Sequence, residues 1–255
     1  MYSLKTVKRL GDKKYRTEMG LFIVEGEKNI KELLDSDFSI EEIFGTSAFL
    51  DSIIERINAY DERMQTRIEI RETKVDDLEQ AGTFISNVTG IAVVHQKELG
   101  DDNIALACAD ENIVLMLDDV RDPGNLGTII RIADWYGVTH IIASPTTTDF
   151  YNPKVIAATM GSFTRVSVAY APLDTVLAKA QAAHFPVVVA DMEGVSTHEG
   201  TLPKTGLLLM GSESHGVKKE LLHFVTQRVT IPRFGNAESL NVSVATGILL
   251  DTMRR

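Results

Sequence analysis

The chain has 255 residues, 44% of them hydrophobic, with a mean hydropathy near zero, which is enough apolar mass for one large or two smaller domains. Its one cysteine, Cys108, excludes an internal disulfide, the scattered histidines give no metal-ligand spacing, and no apolar run approaches the roughly 20 residues of a membrane span. A cytoplasmic protein without metal is expected, and the formal net charge of -10 argues on average against a nucleic-acid binder. The first twenty residues depart from that average: Lys5, Lys8, Arg9, Lys13, Lys14 and Arg16 face only Asp12 and Glu18. Such a cluster suits either a solvated helix or contact with RNA phosphates.

Two alternating α/β blocks follow. In the first, "LFIVEG" (21 to 26) reads as a strand, "EKNIKELLDS" as a helix, "IEEIFGT" as a strand and "AFLDSIIERINAY" as an amphipathic helix. A strand at "TRIEIRE", a short helix from Val75 to Ala81 and a strand "GIAVVHQ" complete a small α/β/α sandwich. The charged stretch "KELGDDNIALACADEN" (97 to 112) reads as a connection, and the boundary is set near residue 105, giving domains 1–104 and 105–255. In the second block "IVLMLDDV" is an apolar strand ending in acidic residues. "PGNLGTIIRIADWYG" is a turn and helix with Asn125 as N-cap, and "VTHIIASP" is the next strand. That crossover implies parallel pairing. Further strands are expected at "TRVSVAY", "FPVVVADM", "GLLLMGS" and "RVTIP", with helices at Pro153 to Met160, Leu173 to Ala183 and Lys218 to Phe224. The chain closes on a helix beginning at Leu240, apolar on nearly every face, whose first turn carries Ser239 and Asn241. Polar groups placed in a core need partners.

In an open parallel sheet, ligands gather at loops leaving the carboxyl ends of strands. Three such loops are rich in Gly, Asn, Ser and charge: "DDVRDPGNLGTIIR", "GSESHG" and "IPRFGNAESLN". Each alone is compatible with an ordinary turn. Arg131, set in an otherwise apolar helix, calls for an anionic or carbonyl partner.

In order and in detail, these segments resemble the three motifs of the SpoU/TrmH class of the SPOUT methyltransferases, and "KRLGDKKYRTEMGLFIVEGEKNIKELL" looks like the substrate-binding domain that precedes them in many members. The resemblance implies an α/β chain: a small RNA-binding domain, then a parallel-sheet methyltransferase domain with a C-terminal trefoil knot. The implied activity is transfer of a methyl group from S-adenosylmethionine (AdoMet) to a ribose 2'-hydroxyl of structured RNA, ribosomal RNA in the first place and tRNA as the alternative, by a homodimer. Carried over by position, the catalytic set falls on Asn125 and Arg131, Glu213, and Ser239 and Asn241. The cofactor set falls on Gly211, Ile231 and Leu240, with neighbours Met210 and Pro232. Ser212-Glu213-Ser214 departs from the family's frequent Asn-Glu-Gly.

Guanidinium does not release a proton near neutral pH, so Arg131 is expected to clamp a phosphate or the developing oxyanion while Asn125 and Ser239 orient the ribose. His215, a loop histidine with no orienting partner evident in the sequence, reads as a contact residue and not a general base. Local positive charge at Lys13, Lys14 and Arg16, with Arg121, Arg131 and Arg233, is expected to form a phosphate track. Two rivals differ in class. A non-catalytic RNA-binding protein would show damaged motifs, and a dehydrogenase would need a G-x-G-x-x-G turn that "DPGNLG" lacks.

Overall fold

A computed structural model describes residues 2–84, 89–212 and 215–255, and its contacts divide the chain into two units, Met1–Glu98 with Asp149–Thr164 and Leu99–Thr148 with Arg165–Arg255. Unit 1 opens with α1 (Leu4–Arg9) and α2 (Lys13–Met19), the second capped by the Asp12 carboxylate and stopped by Gly20 in the left-handed region at φ 64°. Then come β1 (Leu21–Glu25), α3 (Glu27–Leu34), β2 (Ile40–Gly45), α4 (Ser47–Met64), β3 (Glu69–Glu72), α5 (Val75–Ala81) and β4 (Gly90–His95). The sheet order is β1-β4-β2-β3, with β4 antiparallel to both its neighbours and β3 parallel to β2. One face buries Leu21, Ile23, Ile91 and Val93 against Val7 of α1, Leu10 just beyond it and Leu78 of α5. The predicted strand at 66–72 is realised only over its last four residues.

Unit 2 begins with α6 (Asp102–Ala107), within the stretch read from sequence as a connection. Ala105 and Leu106 are buried in the unit's core with Ala109 of the 3₁₀ turn that follows, so apolar burial, hidden among the acidic residues, makes this segment part of the fold. Next are β5 (Ile113–Leu117), α7 (Pro123–Trp135) and β6 (His140–Ala143). The chain then contributes α8 (Pro153–Thr159) to unit 1, where Tyr151 and Phe163 pack on Phe22 with ring centroids 4.6 and 6.3 Å away. Back in unit 2 lie β7 (Ser167–Tyr170), α9 (Leu173–Ala182), β8 (Val187–Ser196), β9 (Gly206–Met210), β10 (Gln227–Thr230) and α10 (Val242–Arg254).

The second sheet runs β10-β8-β9-β5-β6-β7, all parallel, and the pairing expected across the β5–α7–β6 crossover is observed. The central strands β5 and β9 are buried throughout, which is why they read as unbroken apolar runs. Among the described residues no helix is long and apolar enough to cross a membrane. The last helix starts at Val242, later than expected, and is one-sided: Val242, Thr246, Leu249, Leu250 and Met253 are buried, whereas Val244 and Ile248 are exposed.

Candidate active site

At the carboxyl end of β5 the chain enters Asp118-Asp119. Asp118 is wholly buried. Its N–H donates to the Met210 carbonyl at 2.9 Å, and its Oδ2 accepts the Lys218 N–H at 2.9 Å, with the Lys218 ammonium 3.4 Å from Oδ1. The loop after β5 is thereby fastened to the end of β9 and to the segment beyond. Asp119 takes φ +60°, a left-handed conformation that Asp and Asn tolerate better than most residues. Its N–H donates to Ser144 Oγ at 2.9 Å, its Oδ1 accepts Arg121 Nε at 2.8 Å, and His215 Nε2 stands 3.4 Å from Oδ2. Burial pushes the Asp119 carboxyl up, but hydrogen bonds from Arg121 and Thr146 and the charges of Arg121 and His215 outweigh it, so the net displacement is downward.

The N-cap of α7 is Asp122, whose Oδ1 accepts the Asn125 N–H at 2.8 Å, with Pro123 in the first turn. This corrects the expectation that Asn125 caps the helix. Relieved of that role, Asn125 uses its Oδ1 to accept a hydrogen bond from Asn241 Nδ2 at 2.9 Å. Asn241 in turn caps α10, its Oδ1 accepting from the Ser243 and Val244 N–H groups at 3.0 and 3.4 Å. The polar turn before α10 is thus not buried: Ser239, Leu240 and Asn241 are exposed, because the helix starts beyond them and sinks only one face.

Between them lies the loop after β9. Ser212 and Gly216 pair across it, Ser212 N–H to the Gly216 carbonyl at 3.1 Å and the reverse at 3.0 Å. A Cβ on Gly211 would come within 2.1 Å of the Gly216 carbonyl carbon, so the close return requires glycine. His215 Nδ1 lies 3.0 Å from Ser212 Oγ. Glu213 falls outside the described residues. Asp119, Val120, Arg121, Asp122, Asn125, Ser212, His215 and Val242 line one cavity of about 460 Å³, so the loops after β5 and β9 meet the start of α10 at a single site.

Residues 112–251 match the SpoU rRNA Methylase family, more than half of the chain, and residues 2–81 match the MRM3-like substrate binding domain. The chain belongs to the SpoU rRNA methylase family. Among its relatives, the 23S rRNA (guanosine(2553)-2'-O)-methyltransferase RlmP of Bacillus subtilis is 29% identical over 98% of this chain and 95% of its own length. The 23S rRNA (guanosine-2'-O-)-methyltransferase RlmB of Neisseria meningitidis is 32% identical over 68% of this chain and 70% of its own. The structure of an rRNA methyltransferase from Sinorhizobium meliloti with AdoMet bound superposes with a TM-score of 0.81 at 28% identity, covering 98% of this chain and 93% of that one.

Not every expected site residue of this SpoU chain joins the cavity. Met210 ends β9 and is 2% exposed, Gly211, Ile231 and Pro232 are half-buried, and none of these lines it; nor does the exposed Leu240. Arg131 is exposed on α7 and, among the described residues, forms no ion pair, so solvent replaces the partner its apolar neighbours called for. Helical geometry sets it about 9 Å along the axis from Asn125 and on a different face. Lys13, Lys14, Arg121 and Arg233 are exposed, and Arg233 Nη1 donates to the Ala237 carbonyl at 3.3 Å. Arg16 is corrected: only 2% exposed, it donates through Nη1 to the Leu10 and Gly11 carbonyls at 2.9 and 2.8 Å and through Nη2 to Asp149 at 2.7 Å. Those bonds commit it to unit 1, and its burial keeps even Nε, unpartnered among the described residues, out of reach of a phosphate. Sequence reasoning missed Asp118, Asp119 and the anchoring of His215; the acidic doublet closing an apolar strand was the available signal.

Proposed function

We propose that the chain transfers the methyl group of AdoMet to a ribose 2'-hydroxyl of large-subunit ribosomal RNA. The observation that carries this reading is the Asn125–Asn241 hydrogen bond, which joins the first and third motif loops at the cavity that also receives the second. The residues present fit the donor. A cavity of about 460 Å³ is in the range of small-molecule sites, and its lining carries both signs, Asp119 and Asp122 against Arg121, as a ligand that is at once sulfonium, ammonium and carboxylate requires. Main-chain groups around Met210, Gly211, Ile231, Pro232 and Leu240, which stand outside that lining, are the positions that by resemblance would hold the rest of AdoMet, which supplies a methyl carbon made electrophilic by its positive sulfur.

The chain's own residues do the rest. Asn125 and Asn241 fix each other's amides and, with Ser239, orient the ribose. Arg131, exposed, without an ion pair among the described residues and outside the cavity lining, is available to a substrate phosphate. Phosphates are met by Lys13 and Lys14 in unit 1 and by Arg121 and Arg233 in unit 2. A homodimer belongs to this reading, because Trp135 of α7 and Val244 of α10 are 84% and 50% exposed, apolar surface that a second copy would cover. The work is cytoplasmic, where the ribosomal RNA of the bacterial relatives is made. Incubating the purified chain with AdoMet and transcribed large-subunit RNA should yield one ribose methyl per transcript; transfer to tRNA alone would move the assignment to the other substrate.

A further inference from the structure

We infer that His215 is the proton acceptor of the methyl transfer, with Ser212 carrying the proton to it and Asp119 setting its orientation. This deepens, and rests on, the methyltransferase reading. Turning a hydroxyl and a sulfonium into an ether and a thioether releases one proton, and a ribose hydroxyl is a weak nucleophile until that proton has somewhere to go. Among the described residues four titratable groups line the cavity: Asp119, Arg121, Asp122 and His215. Arg121 cannot yield its proton and so cannot accept another. Asp122 spends its Oδ1 on the N-terminus of α7. Asp119 is held ionised by Arg121, Thr146 and His215, which makes it a poor base but a good anchor. His215 is left, and its side chain is 46% exposed where that of Asp119 is 4% exposed.

The ring's surroundings decide which nitrogen is basic. A carboxylate only accepts hydrogen bonds, so the Nε2 that faces Asp119 Oδ2 at 3.4 Å carries the hydrogen. The lone pair then resides on Nδ1, 3.0 Å from Ser212 Oγ. Ser212 accepts the His215 backbone N–H at 3.3 Å and turns its own hydroxyl hydrogen toward Nδ1. Because Ser212 lines the cavity, the array Asp119, His215, Ser212 points its basic end at the substrate. In the step itself the ribose O–H bond breaks and its proton passes to Ser212 Oγ as the serine's proton moves to His215 Nδ1. The freed oxygen pair closes the new O–CH₃ bond, and the pair of the broken C–S bond stays on sulfur. His215 ends as an imidazolium stabilised by Asp119. The other charges nearby, among the described residues, are Arg121, paired with Asp119, and the Asp118–Lys218 pair behind the loop.

The test uses the full chain, AdoMet and transcribed large-subunit RNA under single-turnover conditions from about pH 5 to 9, with nitrogen NMR of His215 in the protein alone. Asn accepts a left-handed φ, so Asp119→Asn keeps the loop. The wild-type rate should rise through one ionisation. His215→Gln should be about 10²-fold slower and insensitive to that ionisation with AdoMet affinity unchanged. Asp119→Asn should slow the transfer, because the imidazolium formed in the step loses its counter-charge. NMR should show the Nε2–H tautomer. A His215→Gln rate within about twofold of wild type, an Nδ1–H tautomer, or an Asp119→Asn rate equal to that of wild type overturns the inference alone. A wild-type chain that methylates no ribosomal RNA overturns the reading of the site and the inference with it.

Discussion

Arg16 on α2 and Arg131 on α7 stand in different units and in opposite surroundings. Arg16 is out of water, shared between two carbonyls and the Asp149 carboxylate, whereas Arg131 is hydrated and pairs with no carboxylate among the described residues. A buried cation has to be neutralised where it lies, so it serves the fold; a solvated one keeps its donors for a ligand. Charge in a sequence therefore says little about function until its partner is known, and the partner of Arg16 is 133 positions away.

The sharpest break of this comparison is Arg16→Ala, which leaves Asp149 without its counter-charge. Unit 1 should lose about 3–5 kcal/mol, read as a lower urea midpoint, with AdoMet affinity preserved. Arg131→Ala should do the reverse, lowering single-turnover methylation about 10²-fold while the urea midpoint stays within error. If instead Arg131→Ala unfolds the protein, its role is structural and the contrast fails.

How far the sequence reached can be judged from these same regions. β5 and β9 were legible because strands covered on both faces carry no polar alternation, and the crossover between β5 and β6 followed from helix length. Asn125 and Asn241 were found through resemblance, and the knot rests on it entirely, since a knot leaves no mark on periodicity or composition. Asp118 and its Lys218 partner, 100 positions apart, could not be paired from local pattern. Separation along the chain likewise hid the anchoring of His215 by Asp119. α6 escaped notice because its apolar run, 104–109, is short and flanked on both sides by acidic residues, although Ala105 and Leu106 are core.

Smaller effects sharpen the picture. Asn241→Ala removes both the cap of α10 and the bond to Asn125, and should cost about 1 kcal/mol of stability in thermal unfolding, with a larger loss in turnover than in AdoMet binding. Reversing Lys13 and Lys14 to Glu should weaken RNA binding and flatten its log–log salt dependence by about two, roughly one for each phosphate no longer neutralised. AdoMet binding should not change, and equal loss of both affinities would contradict the division of labour between units. The smallest effect concerns Asp119. Its carboxyl is held below the usual range in the folded chain, so its ionised form adds stability above the ordinary carboxylate pKa of about 4, and that contribution fades as pH falls through the lowered folded value. Urea midpoints of wild type and Asp119→Asn should differ near neutrality and converge in acid.

The central claim, that the loops after β5, β9 and β10 form one ribose-methylating site, is tested most directly by mapping 2'-O-methylation across ribosomal RNA. Cells carrying the gene, lacking it, or carrying only Asn241→Ala would be compared. One large-subunit ribose should lose its methyl group in the second and stay unmethylated in the third. A methylation map identical in all three would contradict the account.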